Sequence, residues 1–332
     1  MPPFQVSAIM EKPTTRRAVG GSFETQGTVD LAEFSPSENS SSLIAYGGNL
    51  RVSLGSCVFK EEDRDIPTFN YQHIRDFHLG AKVRSIAWNP ASVLGQGLQT
   101  SVQLCVAGDD NKLRVCSSDL RGADTIKVVS GHKGFINDVS FESTEGSVVA
   151  SVGDDCRCRL WSEEFSQQTE FTLQSPGMSV SFNPLEPNKL MVAEKGGKIR
   201  FYDMIAEKPF MSLETGGGSL LSADWSRCNP SRVGAVVGGE WMIWDITRSS
   251  YPQDKDQAHP QIGRVFRWSK ASPDLFATLG GPQHQAKIFH LGHHQIPICE
   301  TLPVTGSLSW HAFLPICAVA MDTQVKLMFA ET

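Results

Sequence analysis

No apolar run in the chain approaches the roughly 18 residues that a helical membrane span needs. The opening, MPPFQVSAIMEKPTTRR, lacks the basic-then-apolar order of a secretory leader. Charge of one sign is also missing: 30 Lys and Arg against 36 Asp and Glu leave a net −6. That balance gives no broad electrostatic reason to grip nucleic acid phosphates or an anionic bilayer, so neither direct nucleic acid binding nor membrane insertion is expected. There is no paired C-x-x-C turn to hold zinc. TGGGSL (215–220) and EKGGKI (194–199) have glycines without the Lys-Ser/Thr of a phosphate loop, and no G-x-G-x-x-G opens a helix. No cofactor is expected. Nor does any segment keep a 3.6-residue apolar stripe long enough to read as a helix.

The eight cysteines, at 57, 105, 116, 156, 158, 228, 299 and 317, fall in apolar segments without framework spacing. They read as reduced, small core hydrophobes of an intracellular globular chain.

What the chain does have is a repeat. Short alternating apolar runs close on an aromatic: VDLAEF at Phe34, VRSIAW at Trp88, INDVSF at Phe141, MSVSF at Phe182, LSADW at Trp225, RVFRW at Trp268 and GSLSW at Trp310. The intervals are 54, 53, 41, 43, 43 and 42 residues, which makes seven copies. Further along, each copy has an apolar run, a Gly- or Asp-containing turn and a strand with a basic residue in it, as in CVAGDDNKLRVC (105–116) and VAEKGGKIRFY (192–202). Period-two alternation and closely spaced turns argue strands. Four short strands per unit of this length predict an all-β fold, a seven-bladed β-propeller.

SVGDDCRCRLWSE (151–163) looks at first like the remains of an active site. With the preceding SGHKGFINDVSF it resembles the WD40 repeat. That resemblance implies a buried hydrogen-bond chain of His132, Ser151, Asp155 and Trp161, with Asp155 in the turn between two inner strands. Buried groups of this kind must all be paired, because an orphan costs about 1–3 kcal/mol. The spacing and repetition favour a fold-locking cluster over catalysis, and no catalytic residue is assigned. Cys156 and Cys158 read as same-face strand residues roughly 6.5–7 Å apart, too distant for a zinc pair.

His284, His290, His293 and His294 crowd one short stretch, but metal binding would need them to converge from a strand and the loop after it. They read as polar rim residues, and no metal is expected. KEEDRD (60–65), with Glu61, Glu62 and Asp63, lies in the first long interval and is a candidate contact loop, as is NPASVLGQGLQT (89–100) in the second. TRSSYP (247–252) offers Arg248 and Tyr251, residue types enriched at binding hot spots; a place in the outer strand of blade five is the alternative. KPTTRR (12–17) is a short basic patch in a flexible arm expected over residues 1–19. The single propeller is expected over 20–332. Its last repeat lacks a fourth strand, which GGSFETQG (20–27) is expected to supply, removing an open edge.

LIAYGGN (43–49), SPGMSV (175–180), KLMVAEKGGKIRFYD (189–203) and IWDITRSSYPQ (243–253) narrow the resemblance. From about residue 28 onward the chain resembles the thirty-seven-kilodalton WD-repeat nucleoporin family of animal cells. The resemblance implies a non-catalytic scaffold subunit of the Y-shaped complex of the nuclear pore. Its main partner would be the large propeller-and-solenoid nucleoporin in one arm of the Y, with the other Y-complex subunits and the chromatin-binding nucleoporin as further associations. It also implies location at the nuclear envelope, support of pore assembly and of protein and mRNA transport, and a kinetochore role in cell division. The rival is a WD40 substrate receptor of a cullin-type ubiquitin ligase. Against it, Trp244-Asp245-Ile246-Thr247-Arg248 places Arg one position late for that family's Trp-Asp-x-Arg. An enzyme or histone-peptide reader would show acidic or aromatic residues converging on the central channel, and no such convergence is legible.

Overall fold

The structure, a computed structural model, describes residues 16–17, 19–59, 69–95, 100–122, 124–282, 284–293, 297–301 and 306–330. Their strands form seven separate sheets arranged as a propeller. Blade 1 runs Val29–Phe34, Leu43–Gly48, Arg51–Phe59 and Phe69–His78 from channel to rim, and blades 2 to 6 repeat this order. The innermost strands of blades 2 to 7 are Val83–Trp88, Ile136–Phe141, Gly177–Phe182, Leu220–Trp225, Gly263–Trp268 and Leu308–Trp310. Each ends on its closing aromatic, and all seven aromatics are buried. The 41–43-residue period is therefore the contour length of one blade.

The core is not one mass but seven clusters, one between each pair of adjacent blades. Between blades 2 and 3, for example, Cys105, Ala107, Leu113 and Val115 pack on Ile136, Val139, Phe141 and Trp161. Both faces of a blade are thus covered, which explains why the second strands are almost uniformly apolar rather than alternating. Each turn between second and third strands carries a residue in the left-handed region: Leu50, Asn111, Cys156, Gly197, Gly238, His284 and Asp322. Cys156 is therefore a turn residue with φ +56°, and only Cys158 lies in the strand Arg157–Ser162. This corrects the reading of both as strand residues: the tight turn spends one residue at positive φ before pairing resumes. Of the other cysteines, Cys57, Cys105, Cys116 and Cys317 are buried, but Cys228 is exposed in a loop of blade 5.

Val19–Glu24 pairs antiparallel with Gln324–Phe329 and is the outer strand of blade 7. Just before it, Arg16–Arg17 pairs in parallel with Ile298–Thr301, adding a fifth strand to blade 6. Among the described residues backbone pairing is already present at Arg16–Arg17, within the arm expected over residues 1–19, while residues 1–15 lie outside the described residues. The long first interval is accommodated by extension of the hairpin Arg51–Phe59 and Phe69–His78. Glu61, Glu62 and Asp63, which fall between these two strands in sequence, lie outside the described residues.

Candidate functional site

The blade 3 cluster comes together from three elements. Ser151 sits on the second strand, Trp161 on the third, Asp155 in the turn between them and His132 in the loop entering the blade. Trp161 Nε1–H donates to Ser151 Oγ at 2.9 Å, and Ser151 Oγ lies 2.8 Å from His132 Nε2. His132 Nδ1 lies 2.9 Å from Asp155 Oδ1. Asp155 also accepts from Lys133 N–H at 3.0 Å and Arg159 Nη1 at 2.9 Å. Enclosure works against the Asp155 charge, but the Lys133 N–H, His132 and Arg159 outweigh it and hold its pKa below the usual range. Burial lowers His132, with Asp155 pulling the other way. Gly131 lies under the indole: a Cβ there would collide with the Trp161 ring, so the residue before His132 must be small.

Ser–His–Asp connectivity of this kind can activate a serine in a hydrolase. Here Ser151 is 0% exposed and already accepts from Trp161, so no substrate reaches its oxygen.

Blade 6 has a partial copy of the cluster that sequence reading overlooked. His259 Nε2 lies 2.9 Å from Thr278 Oγ1, and both residues are fully buried. The separation is 19 residues, the same as from His132 to Ser151, and that spacing was the available signal. Phe289 takes the Trp161 place and Lys287 the Arg159 place, with Lys287 Nζ donating to Ala258 O at 2.7 Å. Blades 2 and 4 use ion pairs instead: Arg114 with Asp110 at 2.7 Å, and Arg200 with Glu194 at 2.9 Å.

The central channel has a volume of about 620 Å³ and is lined by the innermost strands. Six of those strands carry a register shift near their start, between the fifth and third residues before the closing aromatic: Val29/Leu31, Val83/Ser85, Ile136/Asp138, Gly177/Ser179, Leu220/Ser222 and Gly263/Val265. A bulge re-aims the side chain that follows it. The residue three before the aromatic then reaches the next blade wherever it is polar. Ser85 accepts from Val139 N–H at 3.3 Å and donates to Asp138 at 2.9 Å, and Asp138 accepts from Val180 N–H at 3.0 Å. Ser179 accepts from Ala223 N–H at 2.9 Å, Ser222 donates to Phe266 O at 3.4 Å, and Ser307 accepts from Ala32 N–H at 3.0 Å. In blades 1 and 6 this position is Leu31 and Val265. There the next blade's indole bridges instead, Trp88 to Glu33 O at 2.9 Å and Trp310 to Arg267 O at 3.0 Å. All seven junctions are hydrogen-bonded around the channel.

Charged groups converge inside this belt, contrary to the sequence-level expectation. Glu33, Asp138 and Asp224 face Arg267, which donates to Ser222 Oγ at 2.9 Å. Asp224 accepts from Trp268 N–H at 2.8 Å and Trp225 N–H at 3.0 Å. Enclosure pushes Glu33 up to about 7 despite Lys270 and Arg267 nearby, and raises Asp138 and Asp224. Glu33, Asp224 and Arg267 share one repeat position, the residue before the closing aromatic, and Asp138 lies three before it. The convergence is hidden in sequence because the other blades hold Ala87, Ser140, Ser181 and Ser309 at that position, so the charges do not recur.

The loop candidates sit apart from the channel. TRSSYP lies in the loop between Glu240–Asp245 and the outer strand Asp254–Gln257, not in that strand, because Asp245 caps a turn through Thr247. Tyr251 is 77% exposed, and among the described residues the Arg248 side chain pairs with Asp245 alone, at 3.2 Å. His290 and His293 have ring centroids 5.7 Å apart, and His294 lies outside the described residues. Among the described residues no group of three or more His, Cys, Asp or Glu is placed to hold a metal ion.

The comparisons with known proteins agree with this architecture. A family model described as "WD domain, G-beta repeat" matches residues 123–162, which take in the outer strand of blade 2, Asp124–Ser130, and the first three strands of blade 3 with its cluster. Nucleoporin Nup37 of Homo sapiens is 44% identical over 97% of this chain and 99% of its own length. Its counterpart in Mus musculus is 45% identical over the same shares, and that of Drosophila melanogaster is 32% identical over 86% of this chain and 89% of its own. With likeness at this level over nearly the whole chain, the chain belongs to the Nup37 family of nucleoporins.

Proposed function

We propose that the protein is a non-catalytic structural subunit of the nuclear pore complex, acting as an adaptor in its Y-shaped scaffold. The observation that carries this reading is the end-to-end likeness to Nup37 relatives, 44% identity over 97% of the chain. The chemistry agrees with it: the one Ser–His–Asp arrangement described is sealed under Trp161. A rigid ring of this kind offers surfaces rather than reactive groups.

The main partner in this reading is the large propeller-and-solenoid nucleoporin of one Y arm, with the chromatin-binding nucleoporin and other Y-complex subunits around it. Residence at the nuclear envelope, support of pore assembly and transport, and a kinetochore role in mitosis follow from membership of that assembly. The side chains best suited to partner contact are on the face that carries the loops from first to second and from third to outer strands. Leu185, Ile205, Tyr251 and Phe313 are exposed there. Arg248 and the segment Glu61, Glu62 and Asp63 are further contact proposals.

The test is affinity purification of the tagged full chain from interphase cells, read by quantitative mass spectrometry. Y-complex subunits recovered in near-equal amounts are the expected result. Recovery of a cullin adaptor in their place overturns the proposal.

A further inference from the structure

We propose that one mouth of the central channel is an oxyanion site with Arg227 and Lys270 as its two cations. The residue two past each closing aromatic turns toward this mouth: Pro36, Pro90, Ser143, Pro184, Arg227 and Lys270 line it in blades 1 to 6. Three prolines give stiff walls without N–H donors. The two cations stand in adjacent blades.

Arg227 is held in place by one hydrogen bond, Nη1 to Pro36 O at 3.3 Å, which reaches from blade 5 to blade 1 over the opening. Among the described residues it has no other hydrogen bond and no carboxylate at ion-pair distance. Lys270 has no side-chain hydrogen bond or ion pair at all among them, although Glu33, Asp224, Arg227, Arg267 and His311 face it. Two partly enclosed cations without a contacting anion are costly, since the solvation they lose is not replaced.

The channel carboxylates do not supply the missing contact. Asp138 and Asp224 have their oxygens turned to backbone N–H groups of the blade junctions. Glu33 is held by Ser309 and, with a pKa of about 7, is only partly ionised near neutrality. An oxyanion entering between Arg227 and Lys270 would take charge-assisted hydrogen bonds from both. The channel, about 620 Å³, has room for such a group with its waters. The anion is either free phosphate or a carboxylate side chain of an entering peptide; the recognising chemistry is the same.

Isothermal titration of the full chain separates these sources. Sodium phosphate and a glutamate-rich octapeptide are titrated separately, each against sodium chloride at matched ionic strength. Saturable one-to-one binding of at least one is expected; phosphate binding identifies a free anion, and binding of the peptide alone identifies a side chain. Lys270→Met should weaken that binding at least about tenfold, the loss of one charge-assisted contact. Its melting temperature should not fall, because the ammonium holds no other group; Lys270→Gln replaces it should the Met variant melt early. Arg227→Met should also lose binding, with its melting temperature measured alongside because Arg227 bridges two blades. Failure of both ligands to saturate, or undiminished binding by a folded Lys270 variant, overturns the proposal.

Discussion

Trp88 of blade 2 donates its indole N–H to the backbone carbonyl of Glu33 in blade 1 at 2.9 Å. Trp310 does the same for Arg267 O. These are the two junctions where the preceding blade offers Leu31 or Val265 in place of a polar residue. An indole nitrogen therefore substitutes for a missing hydroxyl or carboxylate, and the belt stays unbroken.

The belt's strongest point should be Asp138, which joins blades 2, 3 and 4 through Ser85, Val139 and Val180. Asp138→Ala removes a charged acceptor and strands a buried N–H, so a loss of about 2–3 kcal/mol is expected. Trp88→Phe, which loses one neutral hydrogen bond and keeps most of the ring volume, should cost about 1 kcal/mol. Urea unfolding midpoints measure both. Equal losses in the two variants would mean that the carboxylate does no more than the indole.

Trp161→Ala opens a cavity between blades 2 and 3 and removes one of the two hydrogen bonds at Ser151 Oγ, so a loss of about 3–5 kcal/mol is expected. Gly131→Ala tests the same packing from the other side: its methyl collides with the Trp161 ring, so the variant should melt lower than the wild type. Combining Gly131→Ala with Trp161→Phe should recover part of that loss if the collision is its cause.

Acid sensitivity should trace to the buried histidines. Burial, helped by Lys287, holds His259 at about 4 in the fold, against an ordinary 6.5. The neutral ring is thus favoured when folded, and the unfolded chain takes up the proton first. The contribution is present above about pH 6.5 and is lost as pH falls toward 4. His259→Gln should be less stable at neutral pH but show a shallower decline over that window, by up to one proton. Glu33 has the opposite sign. Raised from 4.5 to about 7, its contribution is full at acid pH and lost as pH rises through 7, so Glu33→Gln should steepen the acid decline. Denaturation midpoints at half-unit pH steps read both slopes, and parallel curves for wild type and variants would contradict the assignment.

Deleting residues 1–15 should leave the melting temperature nearly unchanged, because that cut spares every described strand of the wheel. Removing residues 1–30 strips the outer strand of blade 7 and exposes Gln324–Phe329 as a bare edge, so a large drop is expected. Equal melting of the two truncations would show that the outer pairing contributes nothing.

The blades were legible because their signal is apolar and periodic: each closing aromatic must be buried, and burial recurs once per blade. The channel was not, because its residues answer to neighbours across a junction rather than to a repeated pattern. At the third position before the aromatic, Leu31, Ser85, Asp138, Ser179, Ser222, Val265 and Ser307 look unrelated until the ring is closed. Four serines and an aspartate among seven alternating positions were the available sign. The outer strand Asp254–Gln257 was misplaced for a simpler reason: all four residues, DKDQ, are exposed, so nothing in them alternates. Cys156 was misread because a cysteine carries no turn signature, whereas Asn111 and Asp322 at the matching turns do.

Pairing of Val19–Glu24 with Gln324–Phe329 sets an order on biosynthesis. The segment that seals the wheel leaves the ribosome before any of the seven innermost strands, and the strand it must find is made after all of them. Until Gln324–Phe329 is made, the early segment has to wait unpaired while six blades stack beside it, so a nascent chain stalled short of residue 324 remains an open arc.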